Sequence, residues 1–594
     1  MKRRDRMRRL AALLKPYRRE SILAPAFKLL EVVFDLLVPV VVAWMIDSGA
    51  AGAPGSAGSV WFGFGALILM AAVGLGCTVM AQYFAAKASV GFAGSLRQAL
   101  FDHIQSLSYR ELDRLGSDTL ITRLTSDVNQ VQNGLNLGLR LLLRSPFIVL
   151  GSMVMAFTIS VPCAIVFAVT IPVLFALVYL IMQVSIPLFG KVQSGLDRVT
   201  SQTRENLTGV RVIRAFCREE QSVREFDESS RGLTRLNLLV GRISALMNPV
   251  TYVFINLAAV FLIRQAAVQV NLGSLPQGQV VALYNYMLQI IVELVKLASL
   301  IITLNKSAAC ARRVSDVLAV EPGMTYPEKS AVSADAPSAD VPAVEFRDVS
   351  FTYDGAGAPS LTGISFRAMP GETIGVIGGT GSGKSTLVNL IPRFYDPTEG
   401  SVLLGGVPAG AYSRAGLCEK VGVVPQRAVL FRGTVRDNLR WGREDATDAE
   451  LWDALTLAQA REVVESKPGG LDFELEQNGR NLSGGQKQRL TIARALVKRP
   501  SVLVLDDSSS ALDFATDAAL RRALRTIGGG TTTFLVSQRI AGVRQADRIL
   551  VLDNGALAGS GTHDELMRSC GVYREIYYSQ FPEERPASGE KEAK

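Results

Sequence analysis

Gly378-Gly379-Thr380-Gly381-Ser382-Gly383-Lys384-Ser385 follows an apolar run at residues 373–377 and leads through Thr386 into a helix-like stretch. It is a full G-x-x-x-x-G-K-S between a predicted strand and a predicted helix, the context that separates a phosphate loop from a chance glycine turn. Glycines let backbone N–H groups close around phosphate oxygens, Lys384 adds positive charge, and the Ser385 hydroxyl suits Mg²⁺. The positive end of the following helix points at the same anion. An α/β phosphate-binding domain is therefore expected around this loop.

Residues 501–505 downstream form a short apolar strand ending in Asp506, suited to the Mg²⁺ shell, with Asp507 next. Between loop and strand lies Leu482-Ser483-Gly484-Gly485-Gln486, opening a helix with apolar Leu490, Ile492, Ala493 and Leu496. Ser483 is a natural N-cap, and the two glycines permit close approach of a phosphate. Alone, Ser-Gly-Gly is weak evidence. Beside the loop at Gly378 and the strand before Asp506, it is strong.

Composition places the rest. The chain has 594 residues, 48% hydrophobic content and mean hydropathy +0.24, too long for one domain and too apolar to be wholly soluble. Cys77, Cys163, Cys217, Cys310, Cys418 and Cys570 are scattered, without zinc or disulfide spacing. The net charge of +9 is concentrated partly in residues 1–20, with Lys2, Arg3, Arg4, Arg6, Arg8, Arg9, Lys15, Arg18 and Arg19. Beside a hydrophobic segment these read as a cytoplasmic anchor on anionic lipid, and nucleic-acid binding is disfavoured. No small-residue cleavage site follows that segment, so it is expected to be retained.

Spans need about 20 mostly apolar residues. The uncharged run 145–190 is twice that length and is broken at Ser160-Val161-Pro162, so it reads as two spans and a tight turn. With 60–86, 243–263, 265–292 and the less pure 22–46, the expected count is six helices. Basic residues crowd 87–144 and 191–242 and are missing from 47–59 and the Ser160 turn, which puts the long loops in the cytoplasm. The expected layout is a basic segment 1–20, a transmembrane domain 21–320 and a solvated linker 321–342. A nucleotide-binding domain 343–580 and a polar tail 581–594 follow. Within the spans, Lys28, Glu31 and Asp35 share one face and Glu293 and Lys296 another. Two readings fit: neutralising ion pairs, or contact with a transported molecule.

With these motifs in hand, the chain resembles a half-transporter of the ABC exporter family over nearly its whole length. The resemblance implies a polytopic α-helical membrane domain of the type IV exporter kind, then an α/β P-loop ATPase domain, with ATP and Mg²⁺ as cofactors. By position, Tyr353 is similar to the aromatic that stacks on adenine, and Gln426 in Val424-Pro425-Gln426 to the Q-loop glutamine, which also faces the metal. Ser483, Gly484, Gly485 and Gln486 resemble the signature, and Asp513 in Ser510-Ala511-Leu512-Asp513 the D-loop aspartate. Residues 116–128 and 205–219 resemble the two cytoplasmic loops that couple domain closure to the helices.

Two positions depart from the family pattern, which has Glu at Asp507 and His at Gln538. A carboxylate shortened by one methylene is drawn back by about a C–C bond, and a misplacement near 1 Å can cost on the order of a hundredfold in rate. The Gln538 amide can hydrogen-bond a γ-phosphate but cannot carry a proton. Binding motifs are intact, so the site is expected to hold ATP and cut it poorly. That pattern is similar to the degenerate-site subunit of heterodimeric bacterial multidrug exporters, and implies a second half-transporter as partner in the bacterial plasma membrane. The implied cargo is an amphipathic drug or lipid; its identity is beyond this sequence. A homodimer with two slow sites and an ATP-gated, channel-like subunit are the alternatives. His103 and His563 form no metal constellation, and His563 fits a helix-start turn.

Overall fold

The computed structural model describes residues 10, 12–50, 56–328, 340–508, 511–525 and 530–585. The basic residues up to Arg9, the centre of the expected linker, Ser510 and the tail beyond residue 585 lie outside these. Contacts divide the chain into two units: Met1–Gln105 with Asp118–Val320, and Ser106–Ser117 with Glu321–Lys594.

The first unit is built of long helices. Ser56–Ser106 runs 51 residues, Val161–Thr208 48 and Glu219–Asn271 53. At about 1.5 Å per residue, the first is roughly 75 Å long, far beyond a hydrocarbon core of about 30 Å. Helices Arg18–Ala50, Arg144–Ile159 and Gln277–Leu318 pack with them. Among the described residues, five helices are long and apolar enough to cross a membrane, and Val161–Leu177 adds a shorter apolar stretch. Large side chains such as Trp61, Phe62, Leu69 and Leu75 are exposed, as suits a surface solvated by lipid tails. The chain reverses at Ser160, whose extended backbone ends one helix while Pro162 sits in the first turn of the next. Proline is tolerated there because the N–H it lacks would have had no partner.

The second unit holds a six-stranded sheet in the order Ala556–Gly561, Arg548–Asp553, Thr373–Gly378, Thr532–Val536, Val502–Asp506, Val421–Val424. All neighbours are parallel except the edge pair formed by Ala556–Gly561. Val502–Asp506 is buried along its whole length, the pattern of a parallel strand covered on both faces. Register aligns Val536 with Asp506 and with Val376, and Val424 with Leu505. The carboxyl ends of four neighbouring strands thus share one edge, where open α/β sheets bind their ligands. A smaller antiparallel sheet, Leu361–Ala368, Val344–Phe351, Glu399–Leu404 and Val407–Pro408, shares a core with the large one through Phe346, Phe366 and Phe534.

Helix Tyr109–Leu115 also belongs to this second unit. Ser108 caps its start with Glu111 in a reciprocal box, and Gly116 at φ 75° ends it. Its Tyr109 ring lies 4.6 Å from Phe394, Asp113 accepts from the Tyr395 hydroxyl at 2.5 Å, and Arg110 pairs with Asp354. Most of the stretch 116–128 lies in the first unit, where a π-helical turn at Arg123–Asp127 buries Asp127 against Arg313 at 2.5 Å and Arg123 at 2.8 Å.

Candidate functional site

Four of the motifs of the second unit sit just beyond the carboxyl ends of parallel strands: Gly379–Ser385 after residue 378, Gln426 after 424, Asp507 after 506, Gln538 after 536. The result is a cleft of about 380 Å³ lined by Thr380, Gly381, Gly383, Lys384, Ser385, Thr386, Gln426, Asp506, Asp507 and Gln538, together with Ser360, Val536 and Ser537. Ser360 carried no motif signal; it enters because strand Leu361–Ala368 starts against the loop.

Glycine is required at two points. Gly383 has φ 97°, and a Cβ there would meet the Ser360 carbonyl at 2.6 Å. A Cβ at Gly378 would stand 2.2 Å from the Leu552 carbonyl. Lys384 is 8% exposed and donates to the Gly378 and Gly379 carbonyls at 3.0 and 2.6 Å. Burial pushes its pKa down, while Asp507 and Asp506 oppose this. A phosphate could take over those Lys384 bonds at little geometric cost.

The Ser385 hydroxyl donates to Asp506 Oδ1 at 3.1 Å. Among the described residues no group of three or more His, Cys, Asp or Glu could hold a metal alone. An all-oxygen pair beside a phosphate loop fits an ion that takes most of its shell from waters and phosphate, as Mg²⁺ does. Burial raises the Asp506 pKa, with Ser385 opposing; burial likewise raises that of Asp507, opposed by Gln426, Lys384 and Arg539. Asp507 takes φ 43°, and its N–H donates to the Val536 carbonyl at 3.1 Å. Among non-glycine residues Asp and Asn accept this left-handed conformation best.

The remaining predicted residues fall outside the cleft lining. Tyr353 is half-buried, with its hydroxyl 3.2 Å from the Thr386 hydroxyl and its ring edge-on to Tyr395. Ser483 caps helix Gly484–Val497, accepting from the Gln486 N–H at 3.3 Å while Gln486 Oε1 accepts from the Ser483 N–H at 3.1 Å. Gly484 faces open space, and Gly485 lies close to the Ala511 carbonyl. Asp513 caps the next helix through the Thr516 N–H and hydroxyl at 2.9 and 2.8 Å. The signature and D-loop candidates are therefore neighbours of each other rather than of this chain's own phosphate loop.

In the first unit the flagged ionisable residues converge on Arg144, which sequence reasoning did not single out. Arg144 contacts Glu293 at 2.5 Å, Asp35 at 3.1 Å and Glu31 at 3.7 Å. Lys28 pairs with Glu31 at 2.5 Å, Lys296 with Glu293 at 3.1 Å, and the Ser145 hydroxyl donates to Glu293 at 2.8 Å. Carboxylates and cations balance, which is how ionisable groups survive in an apolar bundle.

Residues 21–294 match the family described as ABC transporter transmembrane region, and residues 361–510 match that described as ABC transporter. An uncharacterized ABC transporter ATP-binding protein of Mycobacterium tuberculosis is 36% identical over 574 residues, 96% of this chain and 97% of the relative. A probable multidrug resistance ABC transporter ATP-binding/permease protein of Bacillus subtilis, YheI, is 34% identical over 496 residues, 82% of each. A bacterial Atm1-family ABC exporter solved with ATP bound shares the fold at a TM-score of 0.78 and 24% identity, covering 96% of this chain and 99% of that one.

Proposed function

We infer that this chain, which belongs to the ABC transporter family, is a half-transporter subunit that exports amphipathic drugs or lipids and whose own cleft holds ATP better than it cuts it. It is a multi-pass membrane protein of the bacterial plasma membrane, with an ABC-type ATPase domain in the cytoplasm. The observation that carries the reading is the convergence of the phosphate loop, Gln426, Asp506, Asp507 and Gln538 on one cleft that Ser483 to Gln486 do not line. A second chain must then supply the signature facing each phosphate loop. We also read Val161–Thr208 as a sixth crossing, since the run 145–190 is uncharged on both sides of Ser160.

Chemically, the loop amides and Lys384 would bind the β and γ phosphates, with Tyr353 against the base. Mg²⁺, when bound, would neutralise phosphate charge, and Ser385, Asp506 and Gln426 are the groups that would hold it. Asp507 would accept a hydrogen bond from the attacking water, and Gln538 would donate to the γ-phosphate. Transition-state stabilisation here depends on position, so the short carboxylate of Asp507 slows the step while leaving binding intact. The multidrug name of the Bacillus subtilis relative favours the amphipathic cargo class.

Two copies of this chain suffice to assemble two such sites, because each carries both a phosphate loop and an intact signature; a homodimer with two slow sites is the simpler assembly. One observation favours a heterodimer instead: both departures, Asp507 and Gln538, fall in the hydrolytic subset while the capping box at Ser483 is intact. Mass and ATP turnover of the chain purified alone in lipid nanodiscs separate the two. A dimer with turnover lost in Lys384→Ala supports the homodimer. A chain that binds ATP but turns over only with a co-expressed second half-transporter supports the heterodimer. Lack of ATP-dependent dye transport in either assembly would remove the exporter reading.

A further inference from the structure

Helix Gly571–Gln580 ends on a residue that grips the Gln538 loop at two points. Gln580 Oε1 accepts the Ile540 N–H at 2.8 Å, and Gln580 Nε2 donates to the Gln538 carbonyl at 2.7 Å. A primary amide carries both donor and acceptor, so it can bind an N–H and a C=O of one loop together. The helix is itself anchored, since Tyr573 and Tyr577 are buried in a cluster with Ile377, Ile540 and Val543. Ile377 belongs to the strand that leads into the phosphate loop. From the other side, the Ser537 hydroxyl accepts the Arg539 N–H at 2.9 Å, and the Ser537 N–H donates to Val376 at 3.1 Å. The backbone from 537 to 540 is thus tied down at each residue, at 537 by the sheet edge, at 538 and 540 by Gln580, and at 539 by the Ser537 hydroxyl.

We propose that Gln580 is a positioning residue for ATP hydrolysis, holding the backbone so that the Gln538 side chain faces the γ-phosphate. The proposal rests on the reading of Gln538 as a γ-phosphate contact. A glutamine side chain has more rotatable bonds than an imidazole, so its placement leans more heavily on a fixed backbone. The C-terminal helix then bears on the chemistry without lining the cleft.

The test uses the full-length chain in nanodiscs, with single-turnover ATP hydrolysis and ATP affinity as readouts. Gln580→Met keeps the length and packing of the side chain without its hydrogen bonds, and Gln580→Glu keeps only the acceptor for Ile540. Both are expected to slow hydrolysis about three- to tenfold with affinity changed less than about twofold. In a Gln538→Ala background, Gln580→Met should add less than about twofold, because its action runs through Gln538. Unchanged hydrolysis in Gln580→Met, or the same fold-loss in both backgrounds, overturns the proposal. Should Gln538→Ala alone leave the rate unchanged, the γ-phosphate reading itself fails, and that outcome is distinct from the other two.

Discussion

The Gln426 amide stands 3.5 Å from Asp507 Oδ2, at the outer limit of a hydrogen bond, although both residues follow buried parallel strands that hold their backbones in place. On the proposed short-carboxylate reading, a side chain one methylene longer would narrow that distance. Asp507→Glu should therefore close it and raise single-turnover hydrolysis tenfold or more. The left-handed backbone at φ 43° suits Asp better than Glu, so thermal stability should fall by up to about 1 kcal/mol in the same variant. Hydrolysis no faster than wild type would remove the short-carboxylate account.

Lys384 already donates to two loop carbonyls, and these bonds stand where phosphate oxygens would compete for it. Lys384→Ala should weaken ATP binding at least about tenfold. Titration with a fluorescent ATP analogue measures this, and retained far-ultraviolet circular dichroism shows that the fold survives. Affinity equal to wild type would mean the loop does not bind phosphate.

The Arg144 network predicts a stability effect rather than a selectivity effect. Removing one partner of a buried pair costs about 3–5 kcal/mol because the other charge is left uncompensated. Arg144→Met should lower the unfolding temperature sharply, and adding Glu293→Gln should recover part of the loss. Glu293 is 3% exposed and already bonded to Arg144, Ser145 and Lys296. Glu293→Gln should then scale transport of all substrates alike; loss of one substrate class alone would restore the substrate-contact reading.

His563 gives the ATPase domain a pH dependence. Its Nδ1 lies 2.9 Å from the Tyr573 hydroxyl, and burial, then the Arg544 charge, hold its pKa below the ordinary 6.5, with Asp564 and Glu584 opposing. A depressed folded pKa means that the unfolded chain takes up the proton first. The contribution is complete above the unfolded value and is lost as pH falls through the folded one. Unfolding temperature should decline from pH 7 toward pH 5, and His563→Gln should flatten that slope. An unchanged slope would assign the acid sensitivity elsewhere.

Much of the site was legible because its chemistry is local. The phosphate loop needs its glycines and Lys384 within eight consecutive positions, the Ser483 cap reaches only to Gln486, and the Ser160 reversal needs only Pro162 nearby. Such signals depend on backbone conformation over one or two turns, so residue order alone specifies them. Helix Tyr109–Leu115 was not legible, because its membership of the second unit rests on contacts with distant residues such as Phe394 and Tyr395.

Partnerships between distant segments were not legible. Arg144 meets Asp35 across 109 positions and Glu293 across 149, and Gln580 meets Gln538 across 42. No periodicity encodes which helix end faces which, because that is set by how helices and sheet pack once their apolar faces are buried. Residue order alone specified a membrane bundle joined to an ATP-binding domain, with Asp507 and Gln538 following its two apolar strands. Packing alone decided that Arg144 reaches Glu31, Asp35 and Glu293 together, beside Lys28 and Lys296, and that the last residue of helix Gly571–Gln580 holds the Gln538 loop.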